Sequence, residues 1–168
     1  MKKFAGIFLG LFLLCGVSDA AVVTEQMLSE SDLENKIEDR IAEYHEYEIR
    51  YYIYNRNVIL ASKMPRDRRD TLMNTIRGIR GVDHVIYVDA GDDSFKQSIS
   101  DSVITAKVEA KLFSIKGVNS FRAHVKTIGG GICCVFASLE KGTSKQKVVD
   151  ELKKIDGVNN IVFCYSYR

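Results

Sequence analysis

Two hydrophobic rhythms alternate along the chain. Ser31-x-x-Glu34 has the spacing of a helix capping box, and Leu33, Ile37, Ile41 and Tyr44 follow at helical intervals. The stretches YEIRYYIY and VILAS are rich in β-branched and aromatic residues, with Asn55-Arg56-Asn57 between them, which predicts a hairpin. Pro65 opens a second helix whose apolar stripe is Leu72, Ile76 and Ile79. VDHVIYV predicts a last strand. The order is α-β-β-α-β.

The same order then returns. A helix is predicted from Ser98 to Ile115, with Ile104, Val108, Leu112 and Ile115 on one face. FRAHVKTI, GGG and ICCVFAS make a hairpin. Thr143-x-x-Gln146 caps a helix carrying Val148, Val149, Leu152 and Ile155, and VNNIVFCYSY closes the unit. IRGVDHVIYV, from Ile79 to Val88, reappears as IDGVNNIVFC, from Ile155 to Cys164. The two glycines, Gly81 and Gly157, are 76 residues apart, and the same step carries Ala61-Ser62 onto Ala137-Ser138. A duplication explains both matches.

The expected fold class is α+β: two tandem α-β-β-α-β units, each a three-stranded mixed sheet with two helices on one face. The units span 28–89 and 95–168, and the acidic run DAGDDS supplies a linker at 90–94. In each unit the second strand, the crossover helix and the third strand form a parallel connection. Units of roughly 60 to 70 residues bury too little surface to be secure alone, so the two are expected to dock.

The first twenty residues read as a signal peptide. Lys2 and Lys3 precede an apolar run from Phe4 to Leu14, too short to span a bilayer comfortably, and Ser18 and Ala20 give the small-x-small cleavage spacing. Lipid attachment at Cys15 is disfavoured because Leu14 stands where a small residue is needed. An uncleaved anchor is the third alternative. Export gives weight to Cys133, Cys134 and Cys164, because disulfides persist outside the cytoplasm.

The order of elements, the hairpin strand ending in a small residue, and GV-x-x-[VI] at the opening of the last strand resemble the BON domain, an exported bacterial module often present in tandem. The resemblance covers nearly all of residues 28 to 168 and is stronger in the second copy, ITAKVEAKLFSIKGVNSF to KIDGVNNIVF. BON domains usually carry glycine where this chain has Ala61 and Ala137. The resemblance implies a periplasmic protein, similar in layout to two-BON outer-membrane lipoproteins that contact anionic phospholipid through the first helix of the second unit.

That helix is the most informative one. Beyond its core stripe it carries a second apolar stripe, Ile99, Val103, Ala106, Ala110 and Phe113, with Lys107 and Lys111 along one edge. Two readings compete: the first unit docks on this stripe, or the stripe enters a membrane surface with the lysines on anionic headgroups. A basic stretch, Arg66, Arg68 and Arg69, opens the first unit's second helix, as a solvated loop or a ligand contact. Strand alternation places Cys134 and Cys164 together on the helix-free sheet face. A disulfide there would close a loop of about 30 residues and add about 3–4 kcal/mol; three unpaired thiols are the other reading.

No catalytic constellation is evident. His45, His84 and His124 lie far apart, no metal-ligand spacing occurs, and the GGG at 129–131 lacks the lysine and helix of a phosphate loop. No cofactor, metal or nucleic-acid partner is expected, and the net charge of +2 gives no general bias toward polyanions. The sequence reads as a non-enzymatic envelope protein that binds phospholipid and supports outer-membrane integrity. The alternative is a soluble periplasmic stress-response or chaperone-like protein whose partners are polypeptides.

Overall fold

The structure, a computed structural model, describes residues 28–90 and 99–168. The expected signal segment, Cys15 and linker residues 91–94 lie outside them. The first unit runs α1 (Glu30–Ala42), β1 (Ile49–Tyr54), β2 (Asn57–Ser62), α2 (Arg66–Arg77) and β3 (His84–Asp89). The second runs α3 (Asp101–Ser114), β4 (Val118–Thr127), β5 (Ile132–Leu139), α4 (Lys145–Leu152) and β6 (Asn160–Tyr167). The protein is α+β. Each sheet has three strands in sequence order, the first pair antiparallel and the second parallel.

Local chemistry sets the element ends. α1 is capped by Ser29, whose hydroxyl accepts from the Asp32 N–H at 3.2 Å and donates to the Asp32 carboxylate at 2.6 Å. The cap therefore falls two residues before the expected Ser31-x-x-Glu34 box. α4 is capped by Ser144 rather than Thr143, with the Lys147 N–H donating to the serine at 3.4 Å. Thr143 instead donates to the Gly117 carbonyl at 3.4 Å. The first hairpin turns on Asn55 and Arg56, at φ 46° and 64°. Two consecutive left-handed residues match the right-handed twist of the flanking strands.

On the helix side, each sheet buries the stripes read from the sequence. Leu33, Ile37, Leu72 and Ile76 pack on Val58 and Leu60 in the first unit. Ile104, Val108, Leu112, Val148 and Leu152 pack on Cys133, Val135 and Phe163 in the second. The seam Gly81 and Gly157 adopts φ of 106° and 93° in the two copies. That left-handed backbone explains why both copies keep glycine there.

The Ala-Ser match of the duplication is out of phase with the structure. His84 of β3 and Asn160 of β6, which open the parallel ladders, are 76 residues apart, but their partners Asn57 and Ile132 are 75 apart. The second unit thus holds one extra residue between its paired strands. A one-residue slip reverses side-chain direction. Ala61 accordingly faces away from the helices and Ala137 faces toward them.

The units dock through their helix-free sheet faces. Ile59, Ala61, Val88 and Ala90 of the first form one buried layer with Ile128, Ile132, Cys134, Phe136 and Val162 of the second. This corrects the expectation that the first unit covers the outer stripe of α3. A sheet offers a broad apolar plane on its bare face, whereas a single helix offers only a narrow row, so mutual burial of the two planes removes more apolar surface from water.

Candidate functional site

The docking leaves the outer stripe of α3 uncovered. Phe113 remains 62% exposed and Val103 46% exposed, and Ala106 and Ala110 beside them are exposed too. Ile99 departs from the expected stripe. It precedes α3, which begins only at Asp101, and it packs half-buried against the second unit's core.

A residue that the sequence reading missed completes the patch. Phe121 is 92% exposed and meets Phe113 edge to face, ring centroids 5.9 Å apart. Plain alternation back from buried Val125 would turn Phe121 toward the helices. The pairing of β4 with β5 jumps instead from Asn119↔Ser138 to His124↔Phe136. This bulge re-aims the intervening side chains. Between the pairs Val118↔Leu139 and Thr127↔Cys133 the β4 side is longer than the β5 side, and the surplus lies in the bulge; no local pattern in the sequence marks it.

The lysines chosen from the sequence do not fringe the two phenyl rings. Lys111 Nζ lies 2.9 Å from Glu151 and Lys107 Nζ lies 4.0 Å from Asp156, on the edge of α3 nearer α4. Hydrogen bonds from Lys154 and Lys111 pull the Glu151 carboxyl down to about 2. The exposed cations nearest in sequence to Phe113 and Phe121 are Lys116 and Arg122.

The basic stretch is helical, in the first turn of α2, and its charges are met within the first unit. Arg66 and Arg69 face Asp70 at 3.6 and 3.2 Å, and Arg68 faces Glu46 at 3.2 Å. Arg68 and Arg69 also lie over the rings of Tyr44 and Tyr87. Such pairing leaves little free basic field for a ligand.

Cys134 and Cys164 do share the helix-free face, as alternation requires, but both are free thiols. The ladder sets Cys134 opposite Val162 and Cys164 opposite Phe136, so the thiols are diagonal rather than paired. Burial pushes the Cys134 thiol up to about 12, with Cys133 and Cys164 adding to the rise. Burial also raises Cys133 and Cys164. Neutral thiols packed in an apolar layer behave as small hydrophobic side chains.

Aromatic groups rivet the docked faces. Tyr54 stacks on His124, and its ring centroid is also 4.6 Å from that of Phe136. The Tyr52 hydroxyl is hydrogen-bonded to His124 Nε2. Burial raises Tyr52 to about 12, so its proton stays in place at neutral pH. Among the described residues no group of three or more His, Cys, Asp or Glu side chains could hold a metal ion, and no helix is long and apolar enough to cross a membrane.

The fold and the patch together define a two-unit α+β protein with its sheets packed on one another and an aromatic pair projecting from the second unit. No family model matches the chain, and no curated protein matches it. Solved structures similar to it include two of CdsD, a structural protein of the type III secretion system of Chlamydia trachomatis. One is 14% identical, covers 82% of this chain and 93% of its own, and has a TM-score of 0.34. The other, the C-terminal domain, is 13% identical, covers 83% of this chain and 100% of its own, and has a TM-score of 0.31. At those values the likeness carries no argument about what this chain does.

Proposed function

We propose that this chain is an exported tandem BON-like protein of a bacterial periplasm that rests on an anionic phospholipid surface and supports outer-membrane integrity. The observation that carries the reading is the exposed pair Phe113 and Phe121. The competing explanation of the stripe, intramolecular docking, is removed because the units use their sheet faces instead. Two phenyl rings side by side in water lose the favourable free energy of burial, about 1.5–3 kcal/mol for each ring fully covered.

A lipid interface fits the shape of the patch better than a folded partner does. Neither ring lines the cavities of 820, 550, 490 or 410 Å³, and with Phe121 92% and Phe113 62% exposed the rings project outward instead of walling a groove. A bilayer interface accepts projecting rings without a preformed complement. Lys116, close by in sequence and exposed, supplies charge for anionic headgroups.

Flotation with vesicles of phosphatidylethanolamine and phosphatidylglycerol tests the reading. The wild-type chain is expected to float, and a Phe113→Ser/Phe121→Ser variant is expected to stay in the dense fraction with its thermal midpoint retained. A wild type that does not float, or a double variant that floats equally well, would falsify the proposal.

A further inference from the structure

A second feature lies between the units. An open cavity of 820 Å³ forms where the helix-free face of the second sheet runs out beyond the cover of the first unit. Along that face the side chains pass from buried Cys134 and Val162, through Phe136 and Cys164, to Ser138 and Ser166. The two serine hydroxyls lie 3.1 Å apart on the cavity floor. Apolar packing gives way to hydrogen-bonding groups just where the cover ends.

The cavity walls are cationic. Arg77, the last residue of α2, comes from the first unit, and Arg122, in the β4 bulge, comes from the second; His84 stands at the start of β3. Asp83 is the one carboxylate in the lining, and Arg56 already faces it at 3.6 Å. Arg77 donates to the Asn74 side-chain carbonyl at 3.1 Å. Neither Arg77 nor Arg122 makes an ion pair among the described residues. Two guanidinium forks without carboxylates, beside hydroxyls and the Asn55 amide, form a donor-rich lining, while the Asn57 amide N–H groups already donate to the Tyr54 and Asn55 carbonyls and leave its side-chain oxygen to accept. Guanidinium matches the geometry of a phosphate oxyanion through paired N–H donors.

We propose that this inter-unit cavity binds a phosphate ester carried on a polyol: the arginines hold the phosphate, and Ser138, Ser166 and the asparagines meet the hydroxyls. The volume is that of a site for a small organic molecule, well beyond a bare phosphate ion. A free polyol phosphate and a phosphoglycerol headgroup present the same chemistry. The site does not rest on the membrane reading, since neither Phe113 nor Phe121 lines it.

Titration with sn-glycerol 3-phosphate, followed by two-dimensional NMR, tests the assignment. Saturable shifts are expected at the residues of the cavity, with none from glycerol alone. Arg77→Gln and Arg122→Gln are each expected to weaken binding about tenfold, while Phe113→Ser/Phe121→Ser leaves it unchanged. Short-chain phosphatidylglycerol below its micelle concentration separates the sources. Competition assigns the site to a headgroup, and lack of competition assigns it to a free phosphate ester. No saturation by about 20 mM ligand, or full binding by both arginine variants, overturns the proposal. That outcome leaves flotation untouched, just as loss of flotation leaves glycerol phosphate binding untouched.

Discussion

The ring of Tyr54 lies flat on the imidazole of His124, centroids 4.4 Å apart and planes within 3°. One residue belongs to each unit, so the contact reports directly on whether the sheets are docked. Such aromatic pairs contribute about 0.5–1.5 kcal/mol beyond the area they bury. Tyr54→Ala is expected to lower unfolding stability by about 1–2 kcal/mol. Urea melts of Tyr54→Ala, His124→Ala and the double variant should give a positive coupling energy; strict additivity would show that the stack contributes nothing.

The sheet seam should govern cooperativity as well as stability. Ile59 is fully buried between the units. Ile59→Asp places an unpaired charge there, at a cost of about 3–5 kcal/mol. Each unit keeps its own helix-side core. Unfolding followed by calorimetry is expected to split into two transitions in the variant and remain single in the wild type.

These two sites show what was legible in the sequence. The helical stripes, the hairpins and the glycine seam could be read because each depends on near neighbours: periodicity, turn chemistry, a required φ. The assignment of Cys134 and Cys164 to the bare face followed from alternation alone. What covers that face depends on residues some 75 positions away, and no local pattern encodes it. Tyr52 and Tyr54 looked like ordinary strand tyrosines until His124 was brought onto them. Phe121 was hidden for another reason: a bulge breaks the very alternation used to read a strand.

Acid should act on the α3–α4 edge. Lys154 and Lys111 hold the Glu151 carboxyl near 2, below its ordinary 4.5, so the ionised form is favoured by folding. Its stabilising effect is complete above pH 4.5 and disappears as pH falls toward 2. The difference in thermal midpoint between wild type and Glu151→Gln is therefore expected to be constant near neutrality and to shrink steadily below about pH 4.5. A difference that grows on acidification would contradict the assignment. Salt should reduce the effect at neutral pH, because the group is exposed.

The three thiols should differ in rate. Cys164 is only half-buried and borders the inter-unit cavity, whereas Cys133 and Cys134 are fully buried. Alkylation proceeds through the thiolate, which burial suppresses. Native protein treated with iodoacetamide at pH 8 is expected to be modified first at Cys164, with Cys133 and Cys134 protected until urea is added. Peptide mass mapping reads the order. A Cys134–Cys164 disulfide in the air-oxidised protein would show that the diagonal pair can close after all.

The mutual burial of two bare sheet faces has a consequence for how such a chain could arise. A lone unit of this design would carry one sticky plane, and its simplest cover is an identical neighbour. As separate molecules, two such units would meet only as often as their abundance allows. Tied together, they close as an intramolecular event whose effective concentration is set by the tether. Duplication thus makes closure independent of expression level, and it frees the two halves to diverge. One half keeps an outer helix that is polar on its far side, and the other can expose phenyl rings without losing its cover.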